Sequence, residues 1–458
     1  MRYVTSFETP PDDALLQNEP SDAQLFGFRG IMYGMIGDNV EILAPAGDMT
    51  CLQAALDAGA DAVYFGLGEF NMRQRAGINF TVGDLPEIKQ RCEAARPGRT
   101  PVKRYLTLNS IVFEDEMEKI DALIAAAKPF VDAFIVADWG VVALCKKHGA
   151  TFHVSTQMSI SNSTAVKFLK EQGATRVVLA RECTLDEVRR IVRDGGLEVE
   201  CFVHGAQCVA ESGRCLMSHD AYGCSASRGE CRQPCRRTFV LKAVDLYSDG
   251  DGRPVHDSDT GFTVTPHTVL SAKDLCSLPF EDKLVEAGIA SFKIEGRARN
   301  PEYVMTVVSA YREAVDAVKA GTFTPELAET LVERTRRFFH REYSKGLYFG
   351  RPGVDQFTDG PNSFAKEVKR HSGIVLDYFL KAKIAQVKIQ DAALKVGDLV
   401  QIHGPTTGVQ EFRIESLRRD DEVPEVAEKG TWVTFPAPRC RVGDKVFLIC
   451  PTEQGVAQ

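Results

Sequence analysis

The chain has 458 residues, 44% hydrophobic and 26% charged, with a formal net charge of -8 at neutral pH. It is long enough to bury one large core or two moderate ones, and its 13 Cys are too sparse for a disulfide-stapled secreted scaffold, which leaves reduced thiols or metal ligands. The acidic balance excludes a globally basic surface, so a nucleic acid would have to be held by a local patch.

Residues 1–40 form a polar extension with acidic and proline-containing stretches and no apolar h-region. Neither a secretory signal nor a membrane span is expected there, and the protein is read as cytoplasmic with no membrane partner. Short apolar runs then recur with amphipathic segments between them, the pattern of alternating strands and helices. Eight runs stand out: Glu41 to Pro45, Asp61 to Gly66, Lys103 to Asn109, Ala133 to Asp138, Thr151 to Thr156, Arg176 to Arg181, Glu198 to Gly205 and Ala290 to Arg297. Helices are expected over Asp48 to Ala58, Glu114 to Lys128, Ser161 to Gln172 and Thr184 to Arg193, the last opened by a capping box of Thr184 and Glu187.

Eight βα units are the number that closes a barrel, so the expected class is α/β, a (β/α)8 TIM-like barrel over residues 41–350. An open doubly wound sheet is the alternative that the same alternation allows. The rhythm breaks once, after strand 7, where about 85 residues precede strand 8 and include a Cys-rich insertion, 206–262. In a barrel such an insertion leaves from the C-terminal ends of the strands, the face that carries active sites. Beyond a linker near 350–361, β-rich segments predict a small C-terminal antiparallel β-barrel domain, 361–458, with strands over His371 to Leu376, Ile384 to Lys388, Gly397 to Ile402, Phe412 to Ser416, Gly430 to Phe435 and Asp444 to Leu448.

Within the insertion, Cys208 and Cys215 are separated by six residues, Cys215 and Cys231 by fifteen, and Cys231 and Cys235 by three. Four soft thiolates in one segment read as metal ligands. Structural zinc prefers paired knuckles and only the last pair has that spacing, so an iron-sulfur site is favoured and zinc remains the rival. Cys224 is an alternative member of the set, whereas Cys183 and Cys201 sit at predicted strands as packing thiols. A peptidase reading would make Cys208 a nucleophile and His204 its base, but it uses one cysteine of four, and a thiolate bound to metal is unavailable for acyl transfer.

Polar residues at the strand ends complete the candidate site: Asn109, Asp138, Gln157, Arg181, His204, Lys293, Glu295 and Arg297. Strand alternation sends Lys293, Glu295 and Arg297 to one side, the barrel lumen, as substrate groups or as a structural ion-pair cluster. Arg181, Lys293 and Arg297 suit an anionic substrate. Arg214, Arg228, Arg232, Arg236, Arg237 and Lys242 outnumber Glu211, Asp220 and Glu230 over the same insertion, a local basic patch or a solvated loop.

The stretches EILAPAGDMTCLQAALDAGADAVYFG, FVHGAQCVAESGRCLMS, GECRQPCRR, SAKDL and SFKIEGR, from about Glu41 to Gly350, resemble the collagenase-like peptidases of unknown catalytic type, peptidase family U32. Branches of that family resemble oxygen-independent hydroxylases that act on a tRNA wobble uridine with prephenate, on a ribosomal RNA cytidine, or in ubiquinone biosynthesis. Length and the extra β domain point to the tRNA branch. The resemblance implies a 4Fe-4S cluster on Cys208, Cys215, Cys231 and Cys235, tRNA as partner, and 5-hydroxyuridine as product. Arg181, Lys293 and Arg297, with Asn109 and Gln157, would then bind substrate and a small anionic donor such as prephenate. His204 and Glu295 would move protons, and Arg214, Arg232 and Arg236 would tune the cluster. AYGCSASRGEC, with its extra Cys224, departs from the segment usual in the tRNA branch.

Overall fold

The computed structural model describes residues 40–75, 77–96, 100–237, 239, 247–248, 254–255, 270–350, 356–358, 360 and 363–452. Residues 1–39 of the expected extension, the later part of the insertion with Lys242, and part of the expected linker lie outside the described residues.

All eight expected barrel strands form. They are β1 (Glu41–Pro45), β2 (Ala62–Phe65), β3 (Lys103–Leu108), β4 (Ala133–Val136), β5 (Phe152–Val154), β6 (Arg176–Val178) and β7 (Glu198–Gly205), with β9 (Ser291–Ile294) as the eighth. Ala62–Phe65, Ala133–Val136 and Phe152–Val154 are buried at every position, because a parallel strand in a barrel is covered on both faces. Each strand pairs in parallel with the next, and β9 pairs with both β1, through Ile42 and Phe292, and β7, through Cys201 and Phe292, so the sheet closes on itself. Closure decides for the barrel against the open sheet.

The crossover helices are α1 (Met49–Asp57), α2 (Leu85–Ala94), α3 (Met117–Ala127), α4 (Trp139–Lys147), α5 (Ser163–Glu171) and α6 (Leu185–Gly195). Their starts are set by local chemistry. Asp48 accepts the amide of Cys51 at 2.7 Å, Asp138 that of Gly140, Asn162 that of Ala165, and Thr184 forms the expected capping box with Glu187. Within the insertion lies a one-turn-plus helix, α7 (Met217–Tyr222), and beyond it a strand that sequence reasoning missed, β8 (Asp274–Cys276), which pairs antiparallel with the end of β7. Next come α8 (Glu281–Glu286), α9 (Pro301–Ala320), α10 (Pro325–Thr335) and the short β10 (Tyr343–Ser344) beside β8.

Charges fill the lower barrel interior. Arg176 reaches Glu41 at 2.5 Å, Glu198 at 2.7 Å and Glu200 at 3.2 Å, while the hydroxyls of Tyr105 and Ser291 donate to Glu41 at 2.8 and 3.0 Å. So dense a set of reciprocal bonds satisfies charges that would otherwise be costly to bury. The C-terminal strands are β11 (Glu367–Phe379), β12 (Ile384–Ile389), β13 (Leu394–Lys395), β14 (Leu399–Gly404), β15 (Gly408–Arg413), β16 (Val426–Ala427), β17 (Trp432–Pro436) and β18 (Lys445–Pro451). Six of them form one antiparallel sheet in the order β15-β14-β18-β11-β12-β17. The β13–β16 ribbon adds Leu394 and Ala427 to the same core as Val387, Ile402, Phe435 and Val446, so the strands wrap a single apolar centre. Among the described residues no helix is long and apolar enough to cross a membrane.

Candidate active site

The eight strands deliver their C-terminal ends to one place, and the cysteine insertion folds over it. Between them lies a cavity of about 140 Å³. Its floor and wall come from Tyr64, Thr107, Asn109, Gln157, Arg181, Phe202, Lys293, Glu295 and Arg297, and its roof from Cys208, Cys231, Cys235 and Arg236. Nine of the twelve candidate site residues therefore line one cavity, although they are scattered from 109 to 297 in the chain; Asp138 instead caps α4, accepting the amide of Gly140 at 2.7 Å. Strand-end positions converge in this way only when the barrel is closed.

The charged residues divide by partner. Lys293, on the floor, places Nζ 2.6 Å from a carboxylate oxygen of Glu200 and 4.6 Å from the centre of the Tyr64 ring. Burial lowers its pKa, with Glu200 opposing, so its charge is already matched within the barrel and the ion-pair alternative describes it best. Glu295 accepts two bonds from Arg73, at 2.9 and 3.3 Å. Burial would raise this carboxyl, but Arg73, Arg299 and Arg181 overcome it and hold it below the usual range. Glu295 is therefore a carboxylate at neutral pH, able to accept a proton but with none to give. Arg73 went unnoticed in the sequence because it lies in the loop after β2, in NMRQRAG; scanning every loop on the strand-end face would have found it.

Arg181 and Arg297 are different. The Nη1 of Arg297 donates to Asn71 at 3.0 Å and Thr107 at 2.9 Å, and burial pushes its pKa down to about 10. Arg181 donates to the backbone oxygen of Ala206 at 2.9 Å and stacks 3.9 Å over Phe202, and burial lowers its pKa as well. Among the described residues neither has a carboxylate within ion-pair distance. Two cations in a shared cavity, held by neutral groups, leave donors for an incoming anion. Asn109 and Gln157 stand beside them, the amide of Asn109 donating to Gln157 at 3.1 Å.

His204 is the correction. Strand alternation alone would point it into the lumen with Glu200 and Phe202. The β7–β9 register slips by one residue, however: Lys293 faces Phe202 but Ile294 faces His204, with Val203 bulged between. The bulge turns His204 outward, where its ring packs against Tyr303, Tyr311 and Tyr343 and Nδ1 lies 3.3 Å from the Tyr311 hydroxyl. It is 1% exposed, and burial, with the charges of Arg299 and His340, pushes its pKa down to about 3. His204 neither lines the cavity nor reaches Cys208's side of the strand.

The arm that carries the cysteines is fastened to the barrel rim. Arg228 pairs with Glu116, the amide of Ile111 donates to Ser227 at 3.2 Å, and that of Arg75 donates to Gly229 at 3.3 Å. A Cβ on Gly229, whose φ is +83°, would fall 2.1 Å from the Asn71 oxygen, so only glycine permits this contact. All four candidate thiols are free of disulfides and at least partly exposed. Burial raises the pKa of Cys235, Arg236 opposes, and the fields of Cys208, Cys231 and Cys215 raise it further, which places the four within electrostatic reach of one another. Backbone amides of Met217 and Gln233 each point at the sulfur two residues earlier, Cys215 and Cys231, at 3.4 Å. Amide donors of this kind stabilise a thiolate bound to metal. Among the described residues no three His, Cys, Asp or Glu side chains converge at single-ion spacing; sulfurs on one zinc would stand about 3.8 Å apart. Cys224 is settled otherwise: it is buried, and its thiol faces the backbone oxygens of Glu230 and Ser218 at 3.3 and 3.6 Å, inside the arm.

A family model described as Peptidase family U32 matches residues 47–358. The chain is similar to a collagenase of Porphyromonas gingivalis, 36% identical over 432 residues that cover 91% of this chain and 99% of that protein. It is 34% identical over 390 residues to tRNA hydroxylation protein P1 of Bacillus subtilis, covering 83% and 87% of the two. To the 23S rRNA 5-hydroxycytidine synthase of Escherichia coli it is 36% identical over 323 residues, covering 70% of this chain and 45% of that one.

Proposed function

The chain belongs to peptidase family U32, and from that premise we propose that it is a cytoplasmic RNA hydroxylase that forms 5-hydroxyuridine at the tRNA wobble position, with a 4Fe-4S cluster and a small anionic oxygen donor such as prephenate. The observation that carries this reading is the cavity itself, in which Arg181 and Arg297, free of carboxylate partners among the described residues, lie beneath three of the four clustered cysteines. The names of two relatives, one acting on tRNA and one on ribosomal RNA, support the substrate class.

Cys208, Cys215, Cys231 and Cys235 would hold the cluster, which supplies one-electron redox chemistry when bound. Arg181 and Arg297 bind and orient the carboxylates of the donor through charge-assisted hydrogen bonds. Asn109 and Gln157 present amide groups suited to the edge of a pyrimidine. Glu295, ionised and held in place by Arg73, accepts the proton that leaves the base. Lys293, matched by Glu200, supports the floor and lends a positive field rather than a proton.

A peptidase mechanism through Cys208 lacks the histidine base it was expected to use, because His204 is turned to the helix layer and no histidine lines the cavity among the described residues. The test is anaerobic purification with assay of iron, acid-labile sulfide and zinc, on wild type and Cys231→Ala, followed by nucleoside analysis of RNA from a deletion strain. About four irons and four sulfides per chain, lost in the variant, together with loss of one hydroxylated pyrimidine in the strain, are expected. Stoichiometric zinc without sulfide, or an unchanged nucleoside profile, would overturn the reading.

A further inference from the structure

The cysteine arm carries positive charge that the cavity below does not use. Arg228 is neutralised by Glu116, but Arg214, Arg232 and Arg237 are exposed and have no carboxylate within ion-pair distance among the described residues. Arg232 and Arg237 hold their guanidinium carbons 5.1 and 5.4 Å from the centre of the half-buried Tyr222 ring. Arg214 lies at the lip of the cavity, its Nη2 donating at 2.7 Å to the backbone oxygen of Gln157, a lining residue. In a chain of net charge -8, two unmatched guanidinium groups over one aromatic ring, with a third at the cavity lip, are not the average surface.

We infer that this lip is the landing site for an unpaired RNA loop, its phosphates meeting Arg214, Arg232 and Arg237 and one base stacking on the Tyr222 platform beside the base delivered to the cavity. The inference rests on the RNA reading and names the form of RNA it takes. Phosphates alone would need only the charges. A stacking surface flanked by guanidinium planes serves bases whose faces are free, which a duplex hides. The cavity imposes the same condition, because a base reaches the barrel floor only after leaving its stack.

The test is fluorescence anisotropy on the full chain purified anaerobically, with a labelled RNA stem-loop and a blunt duplex of equal composition, over a salt titration. Wild type binds the stem-loop more tightly than the duplex. Tyr222→Ala weakens stem-loop binding about tenfold, whereas Tyr222→Phe, which keeps the ring, retains it. Arg237→Ala lowers the slope of log affinity against log salt by about 0.7, one phosphate contact on a single strand. Iron content and thermal unfolding are followed in parallel and stay at wild-type values, so that a folding defect is not read as lost binding. If the stem-loop still binds and Tyr222→Ala changes nothing, or if the duplex binds equally well, the landing site is overturned and the RNA reading stands. If wild type binds neither RNA, the RNA reading falls and the landing site with it.

Discussion

Glu281, at the start of α8, has 0% exposure. One carboxylate oxygen accepts the Ser277 hydroxyl at 2.8 Å, while the other has no hydrogen-bond partner among the described residues. Burial raises its pKa from 4.5 to about 8, with Ser277 opposing, so the folded protein holds a proton there at pH 7 that the unfolded chain releases. The associated stability is therefore fully present below pH 4.5 and is lost as pH rises to about 8. At about 1.4 kcal/mol per pH unit the whole loss is about 5 kcal/mol, of which about 3 kcal/mol has gone by pH 7. Glu281→Gln removes the titration. Its amide oxygen keeps the Ser277 bond, and its NH2 group takes the unpartnered place at a cost of about 1–3 kcal/mol. The variant is therefore less stable than wild type near pH 5 and more stable above pH 8, with a crossover between. Melting temperatures of both proteins from pH 4.5 to 9 measure this as a difference, which avoids assuming two-state unfolding for a chain of this size. Parallel curves across that window would refute a buried neutral carboxyl. The position matters to the site because Ser277 also bonds Tyr311, whose hydroxyl donates to the bulged Val203 at 2.8 Å.

Removing Arg73 as Arg73→Ala leaves burial to act on Glu295, so its carboxyl rises and the acid limb of the pH–rate profile moves to higher pH; an unmoved limb would count against Glu295 as proton acceptor. Arg181→Ala or Arg297→Ala raises KM for the anionic donor about 10- to 150-fold, one charged hydrogen bond's worth, with iron content intact, and an unchanged KM would exclude both from the donor site. His204→Phe keeps iron content and leaves kcat within about twofold, since the ring packs among tyrosines and its Nε2 has no hydrogen-bond partner among the described residues; a collapse in activity with the fold intact would restore His204 to the chemistry. Gly229→Ala drives a Cβ into the Asn71 oxygen, releases the arm from the rim and lowers bound iron, and full iron occupancy would show that the docking is dispensable.

Part of the site was legible because its signals are local. The spacing of Cys208, Cys215, Cys231 and Cys235 is written in one stretch, and the polar residues Asn109, Gln157, Arg181, Glu295 and Arg297 each follow an apolar run that marks a strand end. Their common cavity followed once eight such runs were taken as a barrel. The identity of each charge's partner was not legible. Lys293 and Glu200 are 93 residues apart, and Arg73 and Glu295 are 222 apart; nothing near either residue encodes the pairing.

The set of elements was written in local sequence: eight buried strands in apolar runs, helix starts at Asp48 and Thr184, and a cysteine arm at the strand-end face. These depend on hydrophobic periodicity and capping, which act within a few residues. Which way side chains face and whom they meet come from the packed fold. One extra residue, Val203 between Phe202 and His204, reverses the facing of a strand end, because side chains alternate with a period of two. That bulge sits where β8, more than 60 residues downstream, and Tyr311 of α9 bond to the end of β7. Registers of this kind are set by pairing across distant segments, and local sequence carries no record of them.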